Sequence, residues 1–299
     1  MTVFNRPPNR VFQGLHIIGS LLGLFLALLL SGCSAVKLGY NNAPELGYWW
    51  LDSYLDFNDR QSVQVRADLA ALQAWHRQTE LPLYVSTLQQ LQRMAPSDVT
   101  PAQVCEVSAG FRSRFQALLD QAEPALSTLA STLHAEQLDH LARQFDKRNQ
   151  KWRAEWIDAS PTERSAQRVK RRADRAEMFY GPLEEPQRAV VRDSTAVSAF
   201  DARLNDREAV RRQQDTLQTL RQIQTNTLTG AQIRTAVHAL LARATDSPDA
   251  AYQTYMEKTG QENCLTMAKL HNSTTPAQRL KVMETLKAYE TDALALMVP

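Results

Sequence analysis

The sequence predicts an all-α protein, a multi-helix single domain, and three observations point there. Glycine is scarce, at 10 of 299 residues, roughly 3% against a usual share of about 7%. Helix starts are written with one recurring device. Thr100-Pro101-Ala102-Gln103, Ser160-Pro161-Thr162-Glu163 and Thr275-Pro276-Ala277-Gln278 each place a hydroxyl at the N-cap, proline at N1 and Gln or Glu at N3. The hydroxyl accepts from an orphan backbone N–H, the N3 side chain reaches back to the cap, and proline loses nothing at N1. Finally, no stretch alternates with period two over residues rich in Val, Ile and Thr, as a half-buried strand would.

Apolar residues follow these caps at helical spacing: Val104, Val107, Phe111, Phe115 and Leu118 after the first, Leu280, Met283, Leu286 and Tyr289 after the last. Weaker caps stand at Asn58-Asp59-Arg60-Gln61 and Thr229-Gly230-Ala231-Gln232, and Ser247-Pro248 opens a further segment. The pattern predicts helices over 59–79, 82–94, 101–122, 134–157, 162–180, 186–197, 201–226, 230–244, 248–270 and 276–296. Links such as Ala95-Pro96-Ser97-Asp98 and Gly181-Pro182 are too short to separate domains. With 43% hydrophobic and 22% charged residues, the chain can bury a core and is not of disordered composition.

Arg6 and Arg10 precede an apolar run from Val11 to Leu30, the plan of a secretory signal peptide. The run is also long enough to span a bilayer, and the residues at its C-terminal end decide between the two. Leu30-Ser31-Gly32-Cys33 resembles the bacterial lipobox, in which small residues precede a cysteine that becomes lipidated and N-terminal. The resemblance implies a cleaved signal peptide over 1–32 and membrane lipid as a partner through acylated Cys33. Because Ser34, not Asp, comes next, it implies the outer membrane of a Gram-negative envelope, with the domain facing the periplasm. The expected organisation is completed by a tether or docking segment over 33–57 and a helical domain over 58–299. Removing Arg6 and Arg10 brings the 34 basic residues level with the 32 acidic ones, which argues against nucleic acid as a partner.

Two cysteines remain, Cys105 and Cys264. An even pair in an oxidising compartment is most simply a disulfide; the competing possibility is two separate buried thiols acting as small hydrophobes. A bridge would tie an early helix to a late one and imply one folded unit.

Three features bear on function. Tyr40, Tyr48, Trp49, Trp50, Tyr54 and Phe57 crowd one short segment, and Trp49, Trp50 and Tyr54 suit a membrane or partner contact; the expectation, however, is that they pack on the helical core. Arg164, Arg168, Arg172 and Arg175 lie three or four apart on one helix face, an arrangement able to fork around phosphate or carboxylate groups of lipopolysaccharide, lipid headgroups or peptidoglycan. The alternative there is a solvated face paired with acids such as Glu163, Asp174, Asp206 and Glu208. Asp52 and Asp56 form an i, i+4 carboxylate pair, while the histidines are dispersed. HExxH, CxxC, GxSxG and phosphate-loop strings are missing from the sequence, so no metal, no cofactor and no catalytic residue is expected.

Several strings carry a broader resemblance. After the lipobox come Leu38-Gly39-Tyr40-Asn41, Tyr48-Trp49-Trp50-Leu51-Asp52, Trp75-His76-Arg77, Thr100-Pro101-Ala102-Gln103-Val104-Cys105, Asn263-Cys264, and Thr274-Thr275-Pro276-Ala277-Gln278-Arg279. Together these resemble a family of Gram-negative lipoproteins known only as a domain of unknown function, over nearly all of the chain after Cys33. The two cysteine strings fit a Cys105–Cys264 bridge. A narrower likeness is to periplasmic helical chaperones with an LTxxQ motif, which Leu228-Thr229-Gly230-Ala231-Gln232 fits fully. Val99-Thr100-Pro101-Ala102-Gln103 and Leu133-His134-Ala135-Glu136-Gln137 fit it in part. The expected role is non-enzymatic binding or scaffolding with an envelope protein partner. A holdase-like chaperone stands second and an envelope hydrolase third.

Overall fold

The computed structural model describes residues 32–297, and among them all regular structure is helical. The leader expected upstream of Cys33 lies, up to Ser31, outside the described residues. The helices are α1 (Gly32–Asn41), α2 (Ala43–Leu55), α3 (Asp59–Trp75), a π-helical turn (His76–Glu80), α4 (Leu81–Met94), α5 (Pro101–Ala130), α6 (Ala135–Trp156), α7 (Pro161–Tyr180), α8 (Glu185–Ala196), α9 (Ala202–Thr225), α10 (Gly230–Thr245), α11 (Ala250–Asn272) and α12 (Pro276–Met297).

The capping chemistry read from the sequence is present at atomic level. Thr100 Oγ1 accepts from the Gln103 N–H at 3.2 Å while the Thr100 N–H donates to Gln103 Oε1 at 2.8 Å, and Ser160/Glu163, Thr229/Gln232 and Thr275/Gln278 repeat the exchange. Differences from the sequence pattern have local causes. Helices expected over 59–79 and 82–94 are one continuous rod, because a π-turn absorbs Pro82, which has no N–H to donate. Helix α5 runs past its expected end through Pro124, since Leu126, Leu129 and Ala130 beyond it bury in a core. Helix α11 is capped by Asp249 rather than Ser247: the Asp249 carboxylate accepts from the Ala251 and Tyr252 N–H groups at 2.9 and 3.2 Å.

Two apolar cores organise these helices. The first joins the end of α2, the C-terminal end of α5, the start of α6, the end of α9 and α10 around Leu138, Leu141, Ile223 and Val237. The second joins α4, α7, α8, the end of α11 and α12 around Tyr180, Val191, Leu270 and Leu286. The α3–α4 rod and α5 run between them, and Cys105 of α5 is bonded to Cys264 of α11 with Cα atoms 5.4 Å apart.

Residues 33–57, expected as a separate tether, are built into this body instead. Helix α1 lies against α12, and α2 lies against α3 and α6. Tyr48 and Leu55 are buried, Tyr48 Oη donates to Ser62 Oγ at 2.9 Å, and Lys37 pairs with the buried Asp292 at 3.5 Å. Tyr48, Tyr54 and Leu55 of α2 needed apolar neighbours, and α3 and α6 supply them. No helix among the described residues is long and apolar enough to cross a membrane.

Candidate functional sites

Cys33 lies in the first turn of α1, so the body follows directly on the residue that the lipobox would acylate. The aromatic segment divides along the two faces of α2. Tyr54 turns inward, its ring 6.2 Å from Phe145. Trp49 and Trp50 do not pack on the core as expected: each is 58% exposed, and Leu46 is 50% exposed. Spacing of three and four residues puts Leu46, Trp49 and Trp50 on one side of the helix, opposite the buried Tyr48 and Leu55. An amphipathic stripe therefore faces outward next to the start of the body.

A second site forms where α6, α7 and α11 approach the link before α9. Trp152, Trp156, Arg168, Arg172, Phe200 and Tyr255 line a pocket of about 360 Å³, with Arg171 and Arg175 at its edge. The Arg168 guanidinium lies 4.4 Å from the centre of the Phe200 ring, and Arg171 lies 4.7 Å from that of Trp156. Burial and the neighbouring Arg172 charge pull the pKa of Arg168 down. Burial does the same to Arg172, against the opposing pull of Glu262. Of the four arginines singled out in the sequence, Arg168, Arg172 and Arg175 meet here; Arg164 instead donates to the Ile157 and Ala159 carbonyls at the start of its helix. Acids pair instead with neighbouring cations: Lys170 with Asp174 at the surface, Arg153 with Asp206, and Arg211 and Arg212 with the buried Glu208. The aromatic walls escaped sequence reading because they come from three separate segments. One signal was local: Trp152 and Trp156 are spaced i, i+4 and stack with ring centres 5.5 Å apart.

Beyond the other side of α11 lies an open cleft of about 1020 Å³ between α5 and the α10–α11 corner, bordered by Val104, Arg112, Tyr252, Met256, Met267 and the disulfide. The remaining candidates serve the fold. Asp52 accepts from the Phe57 N–H at 2.9 Å and Asp56 ends α2 in the left-handed region, φ 50°, so the carboxylate pair closes a helix. His134 caps α6, and His238 lies 2.7 Å from Glu123. At the π-turn, Glu80 is buried with one oxygen unpartnered and Arg114 3.6 Å from the other. The described residues hold no group of three or more His, Cys, Asp or Glu able to bind a metal ion.

Comparison with known proteins adds one assignment. The model of a family of unknown function, DUF6279, matches residues 53–244. The chain belongs to that family. The match takes in Trp75-His76-Arg77, the Thr100–Cys105 string and the arginine-bearing α7. It leaves out Cys33 and the strings from Asn263 onward, so it is narrower than the resemblance drawn from the sequence. No curated protein and no solved structure matches the chain.

Proposed function

We propose that this DUF6279 member is a lipoprotein of the Gram-negative outer membrane, held by acylated Cys33 with its helical body in the periplasm, and that its role is non-enzymatic binding or scaffolding. The supporting observation is how its three cysteines are used. Cys105 and Cys264 take each other, which leaves Cys33 alone at the lipobox position, and a structural disulfide belongs to an oxidising compartment. The outward stripe of Leu46, Trp49 and Trp50 fits the same picture, since tryptophan favours the boundary between headgroups and water.

Feeding cells an alkyne fatty acid tests this. Wild-type protein is expected to be labelled and to float with outer membranes, Cys33→Ser to be unlabelled, and Ser34→Asp to shift toward inner-membrane fractions. Label retained in Cys33→Ser, or wild-type protein recovered as a soluble species, overturns the proposal. A holdase-like chaperone is the second reading, favoured by the open cleft beside α11 with Met256 and Met267 at its border, because methionine-lined surfaces adapt to varied partners. Under that reading the protein suppresses aggregation of a heat-unfolded client at equimolar ratio. Unchanged light scattering excludes it.

A further inference from the structure

Arg168 and Arg172 lie one turn apart on α7, half-buried in the same pocket. Like charges at that spacing disfavour the helix, and burying a charge without a counter-charge costs more. Elsewhere the chain resolves such crowding with acids: Glu208 serves both Arg211 and Arg212, and Asp215 serves Arg243. Here neither arginine is ion-paired among the described residues. Arg168 Nη1 donates to the Thr195 carbonyl at 3.4 Å, while Arg172 donates to Thr195 Oγ1 and Asn263 Oδ1, each at 3.3 Å. These are long bonds to neutral oxygens. Arg175 at the edge also has no ion pair among the described residues, whereas Arg171 is occupied by Glu155.

We propose that the pocket binds a phosphorylated sugar, its phosphate held by Arg168 and Arg172 and its ring lying against Trp152 and Tyr255. Size, charge and wall chemistry agree on that class. A volume of about 360 Å³ stands at the small end of ligand pockets and suits one or two rings, not a polymer. Arg168, Arg172 and Arg175, set against the carboxylate of Glu262, which accepts from the Ala199 N–H at 2.9 Å, leave an excess of two positive charges. A phosphate monoester, near −1.5 to −2 at neutral pH, matches it; a carboxylate does not. The aromatic faces suit the apolar face of a pyranose, and Ser198, Asn205 and Thr259 on the lining supply neutral hydrogen-bonding groups for hydroxyls. The site does not depend on acylation of Cys33.

Calorimetric titration of the whole chain after Cys33 with glucose 1-phosphate tests the assignment, with inorganic phosphate, glucose and glucuronate as controls. Saturable binding is expected for the sugar phosphate, at least about tenfold weaker for each control, and about tenfold weaker still for Arg168→Gln or Arg172→Gln, the weight of a charged hydrogen bond. Near-UV circular dichroism confirms that the variants fold, and Arg175→Gln, at an exposed position, is expected to weaken binding about threefold, as a rim charge does. Micelles of a phosphorylated disaccharide lipid, titrated in parallel, assign the source: tighter binding there marks a glycolipid headgroup, weaker binding a free sugar phosphate. No saturable heat up to millimolar ligand, equal binding of glucuronate, or binding indifferent to all three substitutions overturns the proposal.

Discussion

At the residue scale, two positions show how unevenly the sequence discloses its constraints. Gly181 ends α7 at φ 73° and ψ −167°, a region that side chains avoid. An added Cβ would meet nothing closer than Lys281 Cγ at 3.9 Å, so the cost of Gly181→Ala is backbone strain alone. About 1–3 kcal/mol of stability should be lost, read as a lower urea midpoint at constant m-value. That glycine is legible, since Gly181-Pro182 reads as a stop in the sequence. His271 is not, because its partners lie 91 and 174 residues away: Tyr180 Oη donates to Nδ1 and Nε2 donates to the Ser97 carbonyl, each at 2.9 Å. The first bond forms only with the neutral ring, because Nδ1 must keep its lone pair to accept, whereas the second survives protonation and opposes the effect of burial. Burial lowers the His271 pKa from its ordinary 6.5, and burial pushes Tyr180 up to about 12. A lowered folded value means that the stabilisation is complete above pH 6.5 and is lost as pH falls from there through the folded value. The thermal midpoint of the wild type should therefore decline below pH 6.5, with a shallower decline in His271→Gln.

At the element scale, the capping glutamines do more than the pattern announces. In the first core, Gln61 and Gln137, each at N3 of its own helix, bond to one another at 2.8 Å. Gln61 also donates to the Thr132 carbonyl and Gln137 to that of Leu55. In the second core Gln187 and Gln278 repeat the arrangement: Gln278 donates to Gln187 at 3.3 Å and to the Pro182 carbonyl, and Gln187 donates to that of Ser273. Each pair thus joins two helix starts through the amide ends of residues whose oxygens are already engaged in capping. The capping half is local, and for Gln61 and Gln278 it is readable three residues from an Asn or a hydroxyl. At Gln137 and Gln187 the cap is His134 or Glu184, which announces less, and the Nε2 half spans 76 and 91 residues and leaves no trace in spacing. Gln187 is wholly buried. Gln187→Leu should cost about 1–3 kcal/mol, because the Ser273 carbonyl and the Glu184 N–H are left without partners inside the protein. Gln103→Leu, on an exposed cap of the same design, should cost less than half as much. Chemical denaturation of the two variants side by side checks the ranking.

At the scale of the whole molecule, the question is what makes two cores unfold as one. The α3–α4 rod contributes Gln61 to the first and Leu88 and Leu91 to the second, and α5 leaves the second core near Val99 to end in the first. The disulfide closes a separation of 159 residues, for which chain entropy alone gives about 5 kcal/mol, an upper figure. Continuity of those helices, not the bridge, should carry the cooperativity, because helix propagation is cooperative and the turns lost from one core lead directly into turns that pack in the other. Cys105→Ser/Cys264→Ser is therefore expected to lose about 2–5 kcal/mol and yet keep one transition, with far-ultraviolet dichroism and tryptophan fluorescence changing together in urea. Separate transitions would mean that the bridge couples the cores. Acid offers an independent handle on the second core, where Glu290 accepts from Gln89, Gln92 and Lys287 at 2.9, 2.8 and 2.9 Å. Those three donors hold its carboxyl down to about 2 against an ordinary 4.5, so its contribution is intact above pH 4.5 and is lost as pH falls toward about 2. If the cores are coupled, acid loss around Glu290 must also release the first core, which the Tyr54 ring adjoins. The Glu290→Gln variant should then show a flatter acid decline in signals from both ends of the molecule. A change confined to the second core would separate them.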